Sequence, residues 1–231
     1  MTPDAAAASS SGRAWSWFGE AVLFDLDGTL VESGASVVRA WQSVADELSV
    51  PFSGFASYLH GIPAEQVLQI VVPSLDAAER RELAVRMNAQ QAEDSDDVTS
   101  VPGALAALEA LPTNRWAIVT SGDFRLATSR IKAAGLPLPR VLITADDVRA
   151  GKPDPEPYLT AARRLGVNAP RCLVVEDSVA GVESGRAAGM AVLGVLSSAE
   201  TLPGVSYEVA DLTEVAFESD RLGVQVRSLA G

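Results

Sequence analysis

The sequence predicts an α/β fold, in which a three-layer parallel-sheet core carries an inserted all-helical segment. Two patterns predict the core after residue 100: short, continuously apolar strands, and helices that alternate with them. The helical insert is predicted at residues 33–100, because their apolar residues recur at helical spacing and no convincing strand pattern lies among them. A chain of 231 residues is long enough for one domain with such an insert.

The strands are short apolar runs bounded by turn residues. They are predicted at residues 21–24, 116–119, 141–143, 172–175 and 191–195. The helices have apolar residues on one face, and glycine follows several of them at the position typical of a helix end. They are predicted at residues 35–48, 63–72, 76–94, 103–111, 124–134, 155–165 and 179–188.

These elements divide the chain into three parts. Residues 1–19 lack the basic start and long apolar segment of a signal peptide, and we expect a disordered tail there. Residues 20–32 and 101–231 are predicted to form the core, and residues 33–100 a helical cap. The aromatic side chains just before the first strand are expected to pack on the domain edge; they are Trp15, Trp17 and Phe18.

Charge and composition exclude several classes of protein. A formal net charge of −12 and a pI near 4.5 disfavour a nucleic-acid partner, whose phosphates such a surface would repel. The single cysteine, Cys172, permits no intrachain disulfide, and its apolar neighbours predict an inert buried thiol. No run reaches the roughly 18 apolar residues needed to span a bilayer. We expect a cytoplasmic protein, monomeric or weakly dimeric.

Polar side chains with catalytic potential follow four of the predicted strands. Asp25 and Asp27 follow the first, Thr120 the second, Lys152 lies after the third, and Glu176-Asp177 ends the fourth. Ligands bind beyond the carboxyl ends of parallel strands, so these groups are expected to meet at one edge of the sheet.

This set of side chains points to phosphoryl chemistry. Crowded carboxylates repel one another unless they share a cation, and hard oxygen ligands favour Mg²⁺. Lys152 and the Thr120 hydroxyl can then hold phosphate oxygens. Asp25 can act as the nucleophile that forms an aspartyl phosphate. Asp27 can protonate the leaving alcohol and later deprotonate the attacking water.

Four motifs in these places resemble those of the haloacid dehalogenase superfamily. They are DLDGTL at residues 25–30, TSG at 120–122, GKPDP at 151–155 and VVEDS at 174–178, within a match that covers about residues 20–200. The resemblance implies a Rossmann-like core, and a cap that closes over the substrate.

The resemblance also implies a role for each site residue. Asp25 would be the nucleophile and a metal ligand, and Asp27 would be the acid/base with its main-chain carbonyl on the metal. Asp177 would be a metal ligand, and Glu176 would contact the metal directly or through water. Thr120 and Lys152 would bind the phosphate, Thr29, Ser121 and Gly122 would support the phosphate or the nucleophile, and His60 would be a cap residue facing the substrate.

The segment from residue 116 to residue 189 is similar to the branch of glycerol-phosphate and hexitol or sugar phosphatases. The expected partner is therefore a small phosphate monoester. A phosphoglycolate phosphatase and a β-phosphoglucomutase-like mutase are the enzymatic alternatives. The mutase cap motif carries two cations, whereas His60 and Ala64 occupy the comparable places here. A dehalogenase is disfavoured by Asp27 and the acidic pair, and a catalytically silent ligand-binding protein by the four intact motifs.

Overall fold

The computed structural model describes residues 14–59, 61–196 and 201–229. The strands in these ranges are β1 (Ser16–Gly19), β2 (Ala21–Phe24), β3 (Val31–Glu32), β4 (Thr99–Ser100), β5 (Trp116–Val119), β6 (Leu142–Ile143), β7 (Cys172–Glu176), β8 (Ala191–Val195), β9 (Tyr207–Val209), β10 (Val215–Ser219) and β11 (Val224–Ser228). The helices are α1 (Gly34–Leu48), α2 (Ala64–Val71), α3 (Ala77–Glu93), α4 (Ala104–Glu109), α5 (Phe124–Ala133), α6 (Glu156–Leu165) and α7 (Val179–Ala187).

A six-stranded parallel sheet forms the centre, in the order β6-β5-β2-β7-β8-β9. Its strands are apolar throughout because both faces are buried. In β2, Val22 and Phe24 face one apolar cluster and Ala21 and Leu23 face the other. Helices α4 and α5 cover the first face, and α6 and α7 cover the second. This three-layer, Rossmann-like arrangement confirms the predicted α/β fold.

The segment between β3 and β4 is helical, as its periodicity predicts. Helices α1, α2 and α3 bury their own apolar cluster, in which Trp41 stacks on Phe55 with ring centroids 4.9 Å apart. Thr99–Ser100 departs from the prediction, because it pairs with Val31–Glu32 as a short antiparallel ladder. The ladder pairs the strand that leads into the helical segment with the strand that leads back out of it.

The expected disordered tail at residues 1–19 is wrong for its last part. Residues 16–19 are β1, which pairs with β11 in a three-stranded antiparallel sheet of order β1-β11-β10. The Trp15 ring stacks on that of Tyr207 with centroids 5.2 Å apart, and Trp15 and Trp17 both pack on the domain edge as expected. Phe18 does not follow the expectation, because it is 52% exposed. The partner strand lies about two hundred residues away, and no local pattern could have announced it. Residues 1–13 lie outside the described residues.

Two further expectations concern a membrane-spanning helix and a reactive thiol. No helix in the described ranges is both long and apolar enough to cross a bilayer. Cys172 is buried at the start of β7, and burial raises the pKa of its thiol to about 12. The thiol is therefore protonated near neutral pH and inert, as the sequence predicts.

Candidate active site

The polar groups that follow the strands meet at one edge of the sheet. Lys152, in the loop after β6, is fully buried and places its Nζ 2.5 Å from Asp25 Oδ1 and 2.6 Å from Glu176 Oε1. The same Nζ donates a hydrogen bond to the main-chain oxygen of Val119, at the end of β5. One ammonium group thus ties together the ends of β2, β5 and β7.

Three buried carboxylates form a cluster at this edge. One oxygen from each of Asp25, Glu176 and Asp177 lies within 4.8 Å of the others. This separation is within the reach of a single cation, and the donor set consists only of hard oxygens, which suit Mg²⁺. The arrangement meets the geometric condition on which the sequence-based hypothesis depends: Asp25 and Asp177 can touch a common ion.

Glu176 has a second set of contacts that the sequence did not reveal. Its Oε1 accepts hydrogen bonds from Lys152 and from the Tyr158 hydroxyl, at 2.6 and 2.9 Å. Its Oε2 accepts from the amides of Asp177 and Ser178 and from the Ser178 hydroxyl, at 3.0, 3.0 and 2.9 Å. The carboxylate therefore holds Lys152 in line with Asp25, whether or not it also contacts a metal.

The site holds more acidic than basic side chains. Burial raises the pKa of Asp25 well above its usual range, against the opposing effect of Lys152, and the neighbouring acids add to the rise. Burial alone would lower the pKa of Lys152, but Asp25 and Glu176 outweigh it and raise that pKa. The charged groups are Asp25, Asp27, Glu176 and Asp177 against Lys152 and Arg130. If all are ionised, a divalent cation would neutralise them.

Asp27 is not part of the three-carboxylate cluster, although it lines the same cavity as Asp25. Its Oδ1 accepts a hydrogen bond from Ser33 Oγ at 2.7 Å and lies 2.6 Å from Nη1 of Arg130 in α5. The turn after Asp27 depends on Gly28, whose φ of 86° is accessible to glycine at little cost. The carboxyl group of Asp27 is therefore held at the side of the site that faces the helical segment.

Arg130 is the site residue that sequence reasoning missed. It was detectable as a cation on the apolar stripe of α5, where Leu126, Ala127 and Ile131 are also buried. Arg125, in the first turn of the same helix, instead forms an exposed ion pair with Glu93 at 2.8 Å.

The residues predicted to support the phosphate have different surroundings. Thr120 Oγ1 accepts a hydrogen bond from the Gly122 amide at 3.1 Å, and Ser121 Oγ donates to the Gly61 carbonyl at 3.0 Å. Thr29 is fully buried, and its hydroxyl has no hydrogen-bond partner within the part of the chain that the structure describes. His60 lies outside the described residues.

A cavity of about 60 Å³ lies between the sheet edge and the helical segment. Asp25, Asp27 and Thr120 form its floor. Its roof and walls combine apolar and polar side chains, namely Val37, Trp41, Leu59, Ile62, Met87, Leu126, Asn88, Gln91 and Arg130.

Comparison with known proteins identifies the family. The sequence-family model of the haloacid dehalogenase-like hydrolases matches residues 20–189, a span that contains all four motifs. A crystal structure of a hydrolase from Pseudomonas syringae is 27% identical, with a TM-score of 0.76 over 84% of this chain and 94% of that chain.

Two curated relatives are phosphatases. Hexitol phosphatase A of Escherichia coli is 41% identical over 78% of this chain and 84% of its own length. 2-Deoxyglucose-6-phosphate phosphatase 1 of Saccharomyces cerevisiae is 33% identical over 84% of this chain and 88% of its own length. On its motifs, its fold and these relatives, the chain belongs to the haloacid dehalogenase-like hydrolase family.

Proposed function

We propose that the protein is a Mg²⁺-dependent phosphatase of small phosphorylated metabolites, namely sugar, polyol or glycerol phosphates. The observation that carries the proposal is the buried contact of Lys152 with Asp25, beside the Asp177 carboxylate and beneath a small cavity. The relatives that act on hexitol and deoxyglucose phosphates support this class of substrate.

The metal ligands in this proposal are Asp25, Asp177 and the main-chain carbonyl of Asp27, with Glu176 contacting the ion directly or through water. Bound Mg²⁺ would neutralise charge on the acids and on the substrate phosphate. Lys152 and Thr120 would hold the remaining phosphate oxygens. These groups offset the repulsion that an anionic substrate meets from a chain of net charge −12.

The reaction proceeds in two displacements. A carboxylate oxygen of Asp25 attacks phosphorus, the bond from phosphorus to the alcohol oxygen breaks, and Asp27 gives its proton to that oxygen. Water then attacks the aspartyl phosphate, Asp27 takes up one of its protons, and the products are inorganic phosphate and the restored Asp25. The covering helical segment keeps bulk water from the first step.

Hydrolysis is favoured over transfer to a second sugar position. The mutase motif places one cation in the loop before α2 and another at the position of Ala64, the first residue of α2. Each charged hydrogen bond to a distal phosphate would be worth about 1.5–3 kcal/mol, so its loss weakens retention of a bisphosphate. A cytoplasmic location and a monomeric or weakly dimeric state remain predictions.

The test is a screen of phosphorylated polyols, hexoses, pentoses, glycerol and glycolate, with products identified. We expect Mg²⁺-dependent release of phosphate, ranked by kcat/KM, and no isomerised hexose phosphate. Asp25→Asn should abolish turnover, because an amide is a poor nucleophile. Asp96→Asn, at an exposed position in the loop between α3 and β4, is the matched control and should keep full activity. Hydrolysis by Asp25→Asn at the wild-type rate would contradict the mechanism.

A further inference from the structure

A buried arginine links the proposed acid/base to the helical segment. Arg130 is 3% exposed, and its Nη1 lies 2.6 Å from Asp27 Oδ1. Its Nη2 donates a hydrogen bond to Gln91 Oε1 at 2.5 Å. The guanidinium thus joins α5, the turn after β2 and α3, which are far apart in sequence.

Gln91 is as deeply buried as Arg130, at 4% exposure. It lies in the last turns of α3, where this helix packs on α5 through further polar contacts. Ser129 Oγ donates to the Ala92 carbonyl at 2.6 Å, and Asn88 Nδ2 donates to Asp123 Oδ2 at 3.0 Å. Of these contacts, only the one between Gln91 and Arg130 is connected to Asp27, because Arg130 also contacts the Asp27 carboxyl.

The guanidinium depends on both partners. Its Nε is buried with no hydrogen-bond partner among the described residues, so Asp27 and Gln91 provide the polar contacts that fix its plane. A buried cation is costly unless it is paired, and a planar guanidinium that is held at two points has little freedom to turn. Loss of Gln91 as a partner would therefore loosen the group that holds the Asp27 carboxyl.

We propose that Arg130 is a positioning residue, which sets the Asp27 carboxyl against the leaving group while Gln91 holds the guanidinium from α3. The inference rests on the proposed phosphatase function, because it assigns Asp27 a part in the departure of the alcohol. Correct placement of Asp27 then requires α3 to lie against α5. The helical segment would thus contribute to the chemical step as well as covering the cavity.

The test uses two esters of similar shape, phenyl phosphate and 4-nitrophenyl phosphate. Phenolate is the more basic leaving group and needs a well-placed acid more than nitrophenolate does. We expect Gln91→Leu and Arg130→Gln to lower kcat/KM for phenyl phosphate about tenfold more than for 4-nitrophenyl phosphate. Gln91→Glu keeps an acceptor for the guanidinium and should retain the wild-type ratio of the two values.

Ser129→Ala is the matched control, because it removes another hydrogen bond between α5 and α3 without touching Arg130. Its ratio should equal that of the wild type. The inference is overturned if Gln91→Leu keeps the wild-type ratio, or if Ser129→Ala changes that ratio equally. Gln91→Leu decides the matter even if Arg130→Gln fails to fold. If the wild type releases phosphate from neither aryl ester nor any of the sugar, polyol and glycerol phosphates of the screen, the proposed function itself fails, and the two failures are thereby distinguished.

Discussion

Lys152 illustrates how single residues organise the site. Its side chain is 1% exposed, a position in which an unpaired ammonium group would be strongly destabilising. Asp25 and Glu176 compensate that cost, and Glu176 is itself held by Tyr158 and by two main-chain amides. The lysine is therefore fixed before any phosphate arrives, which lowers the cost of organising the site during catalysis.

Replacing Lys152 should be damaging for stability as well as activity. Lys152→Met leaves two buried carboxyl groups without their cation, and breaking such a pair costs about 3–5 kcal/mol. We expect a loss of that order in the free energy of unfolding, measured by urea denaturation, together with loss of hydrolysis. Lys132→Met, at an exposed position of α5, is the control and should change neither quantity appreciably. Unaltered stability of Lys152→Met would show that the buried pair does not hold the site together.

At the scale of elements, the end of β7 and the start of α7 fit together around one carboxylate. Ser178, the N-cap residue of α7, accepts a hydrogen bond from the Gly181 amide through its hydroxyl and donates one to Glu176. A Cβ atom at Gly181 would lie 1.7 Å from Glu176 Oε1, so a side chain there is incompatible with the observed position of the carboxylate. The first turn of α7 is thus shaped by a group from the preceding strand.

Gly181→Ala should therefore destabilise the protein, although alanine is the better helix former by about 1 kcal/mol. The added methyl group displaces Glu176 and, through it, Lys152, so we expect kcat to fall together with the thermal midpoint. Gly185→Ala is the comparison within the same helix, because its Cβ would meet valine methyl groups at 3.1 Å, and these can yield. Equal effects of the two substitutions would refute the special place of Gly181.

At the scale of the whole molecule, an acidic chain is predicted to act on acidic substrates. The net charge of −12 opposes binding of a phosphate ester, and the site itself holds four acidic side chains against two basic ones. The buried carboxylates of Asp25, Glu176 and Asp177 lie close enough to share an ion, so a cation can reverse the local field where the substrate binds.

Magnesium should consequently stabilise the folded protein. Binding to the folded state alone raises the free energy of unfolding by about 2.7 kcal/mol at a concentration of one hundred times Kd. We expect Mg²⁺ to raise the thermal midpoint of the wild type but not that of Asp177→Asn, with NaCl of equal ionic strength as the control. Removal of the ion with a chelator should stop hydrolysis. A midpoint that responds equally to NaCl and Mg²⁺ would argue against a specific site.

The local elements and the polar groups at their ends can be predicted from the amino-acid sequence alone. Apolar runs such as Trp116–Val119 and Ala191–Val195 give the strands at their observed bounds, because a strand buried on both faces needs apolar side chains throughout. Parallel order then brings Asp25, Lys152 and Asp177 to one edge, so their proximity follows from topology and needs no knowledge of side-chain contacts.

The partners of groups that are distant in sequence become known only from the folded chain. The pairing of Ser16 with Arg227 and the contacts of Arg130 with Asp27 and Gln91 join segments far apart in the chain. Hydrophobic periodicity predicts which face of an element is buried, but it does not predict which other element packs against that face. The choice depends on packing and on the pairing of buried charge, and these are properties of the assembled molecule.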